Sequence, residues 1–313
     1  MRATLIIVNH NGRHLLETSL PAAVAAAQAG DHAVTVADDG STDDSLAYVA
    51  NTFPEVTFLA GPKRGFGPTC NQAVEGAHSE AAVLLNSDVV VAPDFLPPLL
   101  HHLEDPDTFA VGPKFLNPDG SLTHALGNRT SGEWRGGLLS LHHETDPQRL
   151  TQACPQLYAN GGAMAFRRDR WLELGGFDDL YHPFYWEDVD VGYRAWARGW
   201  RVMYEPASVV YHAQGQTIAR LHGTPEVEMI SARNAMLFAW KNLLDAGPFR
   251  RAVLAQARST ADDVLIASLP NRLRALLAAF AKLRAAARGR GQERRSRAVD
   301  DAEILRRGRG EAS

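Results

Sequence analysis

"TLIIVNHNGRHLLETSLPAAVAAAQAGDHAVTVADDG", residues 4–40, holds two short apolar runs, 4–8 and 33–37, on either side of an Ala/Leu-rich stretch at 13–29. Each run reads as a buried strand and the stretch between them as a helix. Strand, helix, strand predicts a βαβ unit with parallel strands and a right-handed crossover. The pattern then repeats. "DDSLAYVANTF" (43–53) reads as a helix capped by Ser41 or Thr42, and "VTFLA" (56–60) as a strand. A Gly/Pro loop follows, then a helix from about Thr69 to His78 and a strand at "AAVLLN" (81–86). The fold class is therefore α/β, with a mostly parallel sheet flanked by helices. Ligands of such sheets bind beyond the carboxyl ends of the strands. Asn9–Asn11, Asp38, Asp39, Lys63–Gly67 and Asn86–Asp88 are all expected there, along one edge.

The second half is less regular. "NPDGSLTHA" (117–125) carries a Pro-Asp-Gly turn signal and predicts a hairpin. "NGGAMAFRR" (160–168) reads as a strand, and "DRWLELGGF" as a short helix ended by Gly175-Gly176. "WEDVDVGYRAWARG" (186–199) predicts a helix with acids in its first turn. "RVMYEPASVVYH" (201–212) predicts a strand, and 225–244 a helix. From about 248 the character changes. Leu269, Leu273, Leu276, Leu277, Phe280 and Leu283 share one helical face flanked by basic residues. Beyond Arg288 the Gly/Arg/Glu composition predicts a poorly ordered end.

Bulk properties exclude several classes. The 313 residues allow one large domain plus a tail, and 45% hydrophobic with 22% charged residues is ordinary globular composition. A net charge of −4 argues against nucleic acid as a partner. Two distant cysteines, Cys70 and Cys154, fit a reducing compartment rather than a disulfide framework. The N-terminal apolar run is too short for a signal peptide, and no stretch approaches the ~18 apolar residues of a membrane span. The expectation is a cytoplasmic protein.

Four features carry candidate chemistry. Asp38-Asp39 sits between strand and helix, where it reads either as a turn and cap or as an acceptor for a base or ribose. "GPKRGFGPTCNQA" (61–73) lacks a Walker lysine-serine pair, so it is either a connecting loop or backbone support for phosphate. "WEDVD" (186–190) places Glu187 and Asp190 on one helical face and Asp188 on another. Beside the aromatic "YHPFYW" (181–186), a carboxylate there is suited to act as a general base. His212 is either structural or a ligand for a divalent ion such as Mn²⁺.

Taken in order, "IIVNHNG" with "VADDGSTDDS", "RGFGPTCNQA" with "LLNSDVVV", the long segment 160–212, and "SARNAMLFAWKN" (231–242) resemble the family 2 glycosyltransferases of GT-A fold, in particular the rhamnosyltransferase-like bacterial group. The resemblance covers roughly residues 3–245. It implies a catalytic domain over 1–245, with a nucleotide-binding half to about 115 and an acceptor-binding half from about 116. A helical, basic extension occupies 246–313. By resemblance, Val8, Asn9, Asn11, Asp38, Asp39, Lys63, Gly65, Phe66, Asn71 and Asn86 serve the nucleotide. Asp39 stands where many relatives have Asn. Asn86-Ser87-Asp88 stands where many have Asp-x-Asp, which leaves Asp88, with His212, to hold Mg²⁺ or Mn²⁺. Asp188 matches the catalytic base, with Glu187 supporting it or binding acceptor. Gly161, Gly162, Gly176, Phe177, Asp178 and Trp186 match the acceptor side.

The resemblance implies an inverting, metal-dependent transfer from a UDP- or dTDP-sugar, dTDP-rhamnose among them, to a hydroxyl of a saccharide or lipid-linked acceptor in polysaccharide or glycolipid synthesis. The alternative is a catalytically inactive sugar-nucleotide-binding or scaffold protein of the same fold. A nucleotidyltransferase would carry a Gly-rich basic N-terminal signature, which "IIVNHNG" is not. The tail is expected to pack on the catalytic domain, join a homodimer, or bind the inner face of the plasma membrane peripherally.

Overall fold

The structure is a computed structural model that describes residues 1–123, 128–135, 137–212, 224–245 and 270–311. The four N-terminal strands form as the alternation predicts: β1 (Ala3–Asn9), β2 (Ala33–Asp39), β3 (Thr57–Gly61) and β4 (Ala81–Asn86). All pair in parallel, in the order β3-β2-β1-β4. Their crossovers are α1 (Arg13–Gln28), α2 (Ser45–Thr52) and α3 (Phe66–Gly76). Helix α3 begins three residues before the position expected from sequence. Gly65, at φ +94°, turns the chain sharply enough for Phe66 to open the helix.

The sheet continues through strands that the sequence did not disclose. They are β5 (Val89–Val91), β6 (Thr108–Leu116) and β9 (Cys154–Pro155), with α4 (Leu96–Leu103) between the first two. The Gly112-Pro113 pair inside β6 reads locally as a turn, yet the ladder tolerates it. On one side the pairing with β10 (Ala163–Arg167) has already stopped at Val111. Among the described residues, the full order is β3-β2-β1-β4-β10-β6-β11-β5, where β11 is Arg201–His212 and β9 pairs with it at the side. β10 is antiparallel to both neighbours, so the sheet is mixed but mostly parallel in its first half. Residues 160–162, expected in a strand, form a loop before β10 instead. A separate hairpin, β7 (Thr130–Arg135) and β8 (Leu138–His143), stands apart from the sheet. The turn signalled at 117–121 closes with Leu116 bridged to Leu122; residues 124–127, into which the expected hairpin extends, lie outside the described residues.

Alternate residues of the strands feed two cores. Leu5, Ile7, Val83 and Leu85 pack under α1 and α4, while Ile6, Ala82, Leu84 and Phe166 face the other side. There they meet α3, α5 (Arg168–Leu174), α6 (Glu187–Ala197) and α7 (Thr224–Asn242). Both faces of the central strands are therefore covered, which explains their unbroken apolar runs.

The C-terminal stretch corrects the expectation of disorder. Residues 246–269, including Leu269, lie outside the described residues. Beyond them α8 (Pro270–Ala281), α9 (Leu283–Ser296) and α10 (Asp301–Gly308) are helical. Composition misleads because α9 docks through small residues and polar clasps rather than a broad apolar face. Ala286 and Gly289 are buried, Arg198 Nη1 donates to Glu293 at 2.8 Å, and Arg290 donates to the carbonyls of Trp240 and Leu243 at the end of α7. Asp301 is buried in α10, where it accepts from Tyr193 Oη and from the amides of Leu244 and Asp245.

Candidate active site at the sheet edge

The parallel register fixes one edge of the sheet. Asn9 lies opposite Asp38, Val8 opposite Asn86, and Asp39 opposite Gly61. The polar residues ending β1 to β4 thus align along one rim. Asn9 is buried, and its Nδ2 donates to Asp38 Oδ1 at 2.9 Å and to Ser45 Oγ at 3.1 Å. Its Oδ1 is buried with no partner. Asp38 also accepts from the amide of Ser41 at 2.8 Å. Asn11 adopts φ +51°, and its Oδ1 caps the amide of Thr42 at 2.7 Å. Gly12 closes the corner. A Cβ there would lie 2.4 Å from Asn9 Oδ1 and 3.2 Å from Ser87 Oγ, so the absence of a side chain lets β1 approach the end of β4.

Asp39 is fully engaged within the protein. It accepts from the amides of Arg64 and Gly65 and from Thr69 Oγ1, all within 3.0 Å, and so ties the Gly-rich loop to β2. Lys63 extends from this loop to within 3.2 Å of His10 Nε2. His10 Nδ1 donates to the carbonyl of Asp39 at 2.8 Å, which leaves Nε2 as the acceptor for the lysine. Asn71 bridges to the other half rather than pointing along the rim. Its amide group accepts from the Phe177 N–H at 2.9 Å and donates to the Phe177 carbonyl at 2.8 Å. Phe66 packs on Phe177 at 5.8 Å between ring centroids.

The stretch after β4 brings two expected ligands together. Asp88 Oδ1 and His212 Nε2 lie 3.2 Å apart, each side chain mostly buried. They meet because β11 pairs antiparallel with β5, with His212 opposite Val89. Asn86 turns its side chain toward Gly162: a Cβ built on that glycine would lie 3.1 Å from Asn86 Nδ2. Among the described residues there is no cluster of three or more His, Cys, Asp or Glu suited to hold a metal. A carboxylate and an imidazole converging on one point are nevertheless a fitting partial set for Mg²⁺ or Mn²⁺, ions that keep waters and phosphate oxygens in their coordination sphere.

The other wall of the site is built on the first turn of α6. Tyr185 at φ +68° and Trp186 at φ +80° are consecutive non-glycine residues in the left-handed region. Such conformations cost of order 1–3 kcal/mol each and persist where surrounding contacts over-determine them. Here Asn234 supplies those contacts, its Nδ2 lying 2.7–2.9 Å from the carbonyls of Tyr181, Phe184 and Tyr185. Trp186 leans on Phe238, 5.3 Å between centroids. The turn swings Glu187 and Asp188 toward the sheet edge. Asp188 Oδ2 accepts from the Gly161 amide at 3.1 Å and Oδ1 from the Val189 amide at 2.8 Å. Glu187 Oε2 is buried without a partner.

Burial raises both carboxyls above their ordinary range. For Glu187 the neighbouring Asp188 charge adds to the effect, and the group is pushed up to about 8. The two amides that Asp188 receives offset part of its desolvation, so Asp188 is the member of the pair that ionises first. Glu187 then holds the proton at neutral pH. It lines a narrow cleft with Gly67, Asp178, Asp179, His182 and Phe184.

Asp190, one turn on, has a structural task. Burial alone would raise it, but Arg194 and Lys241 overcome that and hold its carboxyl well below the usual carboxylate range. Arg194 Nε donates to it at 2.6 Å and Lys241 Nζ at 2.9 Å. Arg194 also donates to the carbonyls of Leu174 and Gly176, and Lys241 to Asp178 Oδ2 at 2.7 Å. This network fixes the Gly175-Gly176-Phe177 loop, where a Cβ on Gly176 would collide with Asn71 Oδ1 at 2.2 Å. Sequence reading had no role for Asn160, Arg194, Asn234 or Lys241. The last two lie in "SARNAMLFAWKN", a segment recognised as a unit but not resolved residue by residue.

The two halves meet at Asn160–Gly162. The Asn86 amide donates to the Gly162 carbonyl at 2.9 Å, Gly162 donates to Asn160 Oδ1 at 2.8 Å, and Gly161 donates to Asp188. Three residues therefore join the end of β4 to the half-buried Asp188 carboxylate of α6.

A family profile described as "Glycosyltransferase like family 2" matches residues 2–223. The chain belongs to the family 2 glycosyltransferases. It is 28% identical over 211 residues to the N-acetylglucosaminyl-diphospho-decaprenol L-rhamnosyltransferase of Mycobacterium tuberculosis, covering 60% of this chain and 68% of that one. An O-antigen biosynthesis protein of Myxococcus xanthus is 29% identical over 172 residues, 50% of this chain and 13% of that one. Among solved structures, a mannosyltransferase of Pyrobaculum calidifontis in complex with GDP-Man and Mn²⁺ superposes with a TM-score of 0.55 and 21% identity, over 94% of this chain and 84% of that one. GalNAc-T7 with UDP, GalNAc and Mn²⁺ gives a TM-score of 0.57 at 18% identity, covering 76% of this chain and 48% of that one. These fold neighbours place the glycosyltransferase in the GT-A class. No helix among its described residues is long and apolar enough to cross a membrane.

Proposed function

We propose that this glycosyltransferase moves a sugar from a nucleotide-diphosphate donor to an acceptor hydroxyl by a single inverting displacement, with Asp188 as the base. The observation that carries the reading is the Asn160–Gly162 bridge, which sets the half-buried Asp188 carboxylate beside the end of β4. The acceptor oxygen attacks the anomeric carbon, the bond from that carbon to the diphosphate oxygen breaks, and the acceptor proton passes to Asp188. One base suffices, because no covalent glycosyl-enzyme forms. Glu187, protonated beside it, donates a hydrogen bond to the acceptor and keeps a second negative charge out of the cleft.

On the donor side, Val8, Asn9 and Asp38 face the base and ribose, and Lys63 with Gly65 faces the phosphates. Asp88 and His212 would hold a Mg²⁺ or Mn²⁺ ion, which offsets the charge developing on the departing diphosphate. The Mn²⁺ bound in both fold neighbours supports that role. The mycobacterial relative's rhamnosyl transfer to a decaprenol-linked sugar favours dTDP-rhamnose, or another dTDP- or UDP-sugar, and a lipid-linked acceptor. Polysaccharide or glycolipid synthesis is the corresponding role.

A thermal-shift panel of UDP-, dTDP- and GDP-sugars, each with Mn²⁺ or with EDTA, tests the donor. One donor class is expected to raise Tm by several degrees, more with Mn²⁺ than with EDTA. If no nucleotide sugar binds or is hydrolysed under either condition, the reading is wrong.

A further inference from the structure

Helices α8 and α9 are packed in an unusual sense. Their inward positions are Ala275, Ala279, Ala286 and Gly289, all buried. Leu276 also leans on the core, but the other large apolar side chains point outward. Leu273 is 41% exposed, Leu277 61%, Phe280 53% and Leu283 44%. An ordinary surface helix does the reverse, burying its leucines and exposing small or polar residues. The outward line continues at helical spacing from Leu273, Leu277 and Phe280 to Arg284 and Arg288, both exposed. The only acid between 270 and 297 is Glu293, which is buried and paired with Arg198. Among the described residues, Arg284 and Arg288 make no ion pair. The outward surface is thus, among the described residues, apolar along α8 and, past the turn at Lys282, cationic without an ion-pair partner along α9.

This face is fastened to the wall of the cleft. Lys282, at the junction of the two helices, donates to the carbonyl of Leu180 at 2.7 Å, between the cleft residues Asp179 and Tyr181. Phe280 rests at its base on Trp240, 5.3 Å between centroids, beside Lys241 of the Asp190 network. The surface and the acceptor cleft therefore share one rigid support.

We propose that the outward face of α8 and α9 docks on an anionic lipid bilayer and so presents the cleft to an acceptor held at that surface. Charge decides the occupant. A second copy of the chain would set these arginines against each other across a two-fold interface, whereas anionic headgroups match a cationic band flanking leucines and a phenylalanine. The clause about the acceptor rests on the glycosyltransferase reading; the lipid contact does not.

The test is co-sedimentation of the full chain with phosphatidylglycerol–phosphatidylcholine vesicles and with phosphatidylcholine alone, beside the variants Leu277→Glu/Phe280→Glu and Arg284→Glu/Arg288→Glu. Wild type is expected to bind the anionic vesicles and to be released by salt. Both variants are expected to bind at least about tenfold more weakly, since each basic residue near such a surface contributes about 1 kcal/mol. All four positions are exposed, and circular dichroism with unchanged nucleotide-sugar affinity shows that the variants fold. Failure of wild type to sediment with anionic vesicles overturns the proposal, as does equal sedimentation of wild type and folded variants. Concentration-dependent dimerisation abolished by Leu277→Glu/Phe280→Glu, without lipid binding, would assign the face to a second copy instead. A chain that binds vesicles but no nucleotide sugar leaves the lipid contact standing and removes the functional reading.

Discussion

The rim of β1 to β4 and the first turn of α6 both carry carboxylates, and they treat them oppositely. On the rim, Asp38 and Asp39 are surrounded by donors: the amides of Ser41, Arg64 and Gly65 and the side chains of Asn9 and Thr69. They organise loops. On α6, Glu187 has an oxygen with no partner, and Asp188 has only two backbone amides. The difference teaches that residue type does not set the role. The supply of donors does, because a carboxylate deprived of donors is the one whose proton affinity rises into a useful range.

The largest effect expected from breaking this contrast is at Asp188. Asp188→Asn keeps the shape and removes the base, so kcat should fall by about a thousandfold with donor affinity intact. A variant keeping more than a tenth of wild-type turnover would move the base elsewhere. Next comes the support. Arg194→Met strips one partner from the buried Asp190 and frees the carbonyls of Leu174 and Gly176. It should cost about 3 kcal/mol of stability, read as a Tm drop of several degrees. An unchanged Tm would mean that Lys241 suffices together with Asn242, whose Nδ2 donates to Asp190 Oδ1 at 2.8 Å.

The third prediction concerns pH. Glu187 has a folded-state affinity for protons above its unfolded value, raised by burial and then by Asp188. Its ionisation therefore opposes folding. The penalty is absent at low pH, grows as pH rises above the unfolded value, and is complete above about 8. Glu187→Gln should raise Tm relative to wild type at pH 9, with the gap closing as the pH is lowered toward 5. A gap that stays constant across that range would remove the shared proton from the account. The smallest effect is on the rim. Asn86 faces Gly162, so Asn86→Asp should change Mn²⁺ affinity by less than about threefold in a direct titration. A tenfold gain would mean that position 86 does reach the ion.

The rim was legible in the sequence because parallel register is local arithmetic. β1, β2 and β4 end in polar residues at matching positions, and the topology stacks those ends side by side. Asp88 with His212 was legible only through the family resemblance, since antiparallel pairing of β5 with β11 cannot be seen in either segment alone. The α6 support was not legible. Asn234 and Lys241 act through carbonyls and carboxylates far away in sequence, and nothing in helical periodicity distinguishes them from solvent-facing polar residues. The tail is helical as expected, but its order beyond Arg288 was misread for the opposite reason. Its helices are held by glycine, alanine and arginine, residues that composition assigns to flexible chain.

The pairing of β5 with β11 also orders events in time. His212 is the last residue of the last sheet strand, and Asp88 waits near the start of the chain. A ribosome releases the whole rim of β1 to β4 long before it releases His212, so a nascent chain can form the rim before it can form the Asp88–His212 pair. A slip of one residue in the final strand would turn His212 to the opposite face of the sheet and leave Asp88 alone. The Asp88–His212 pair therefore exists only in a chain that has been made through β11 and registered correctly, which makes it a late product of folding.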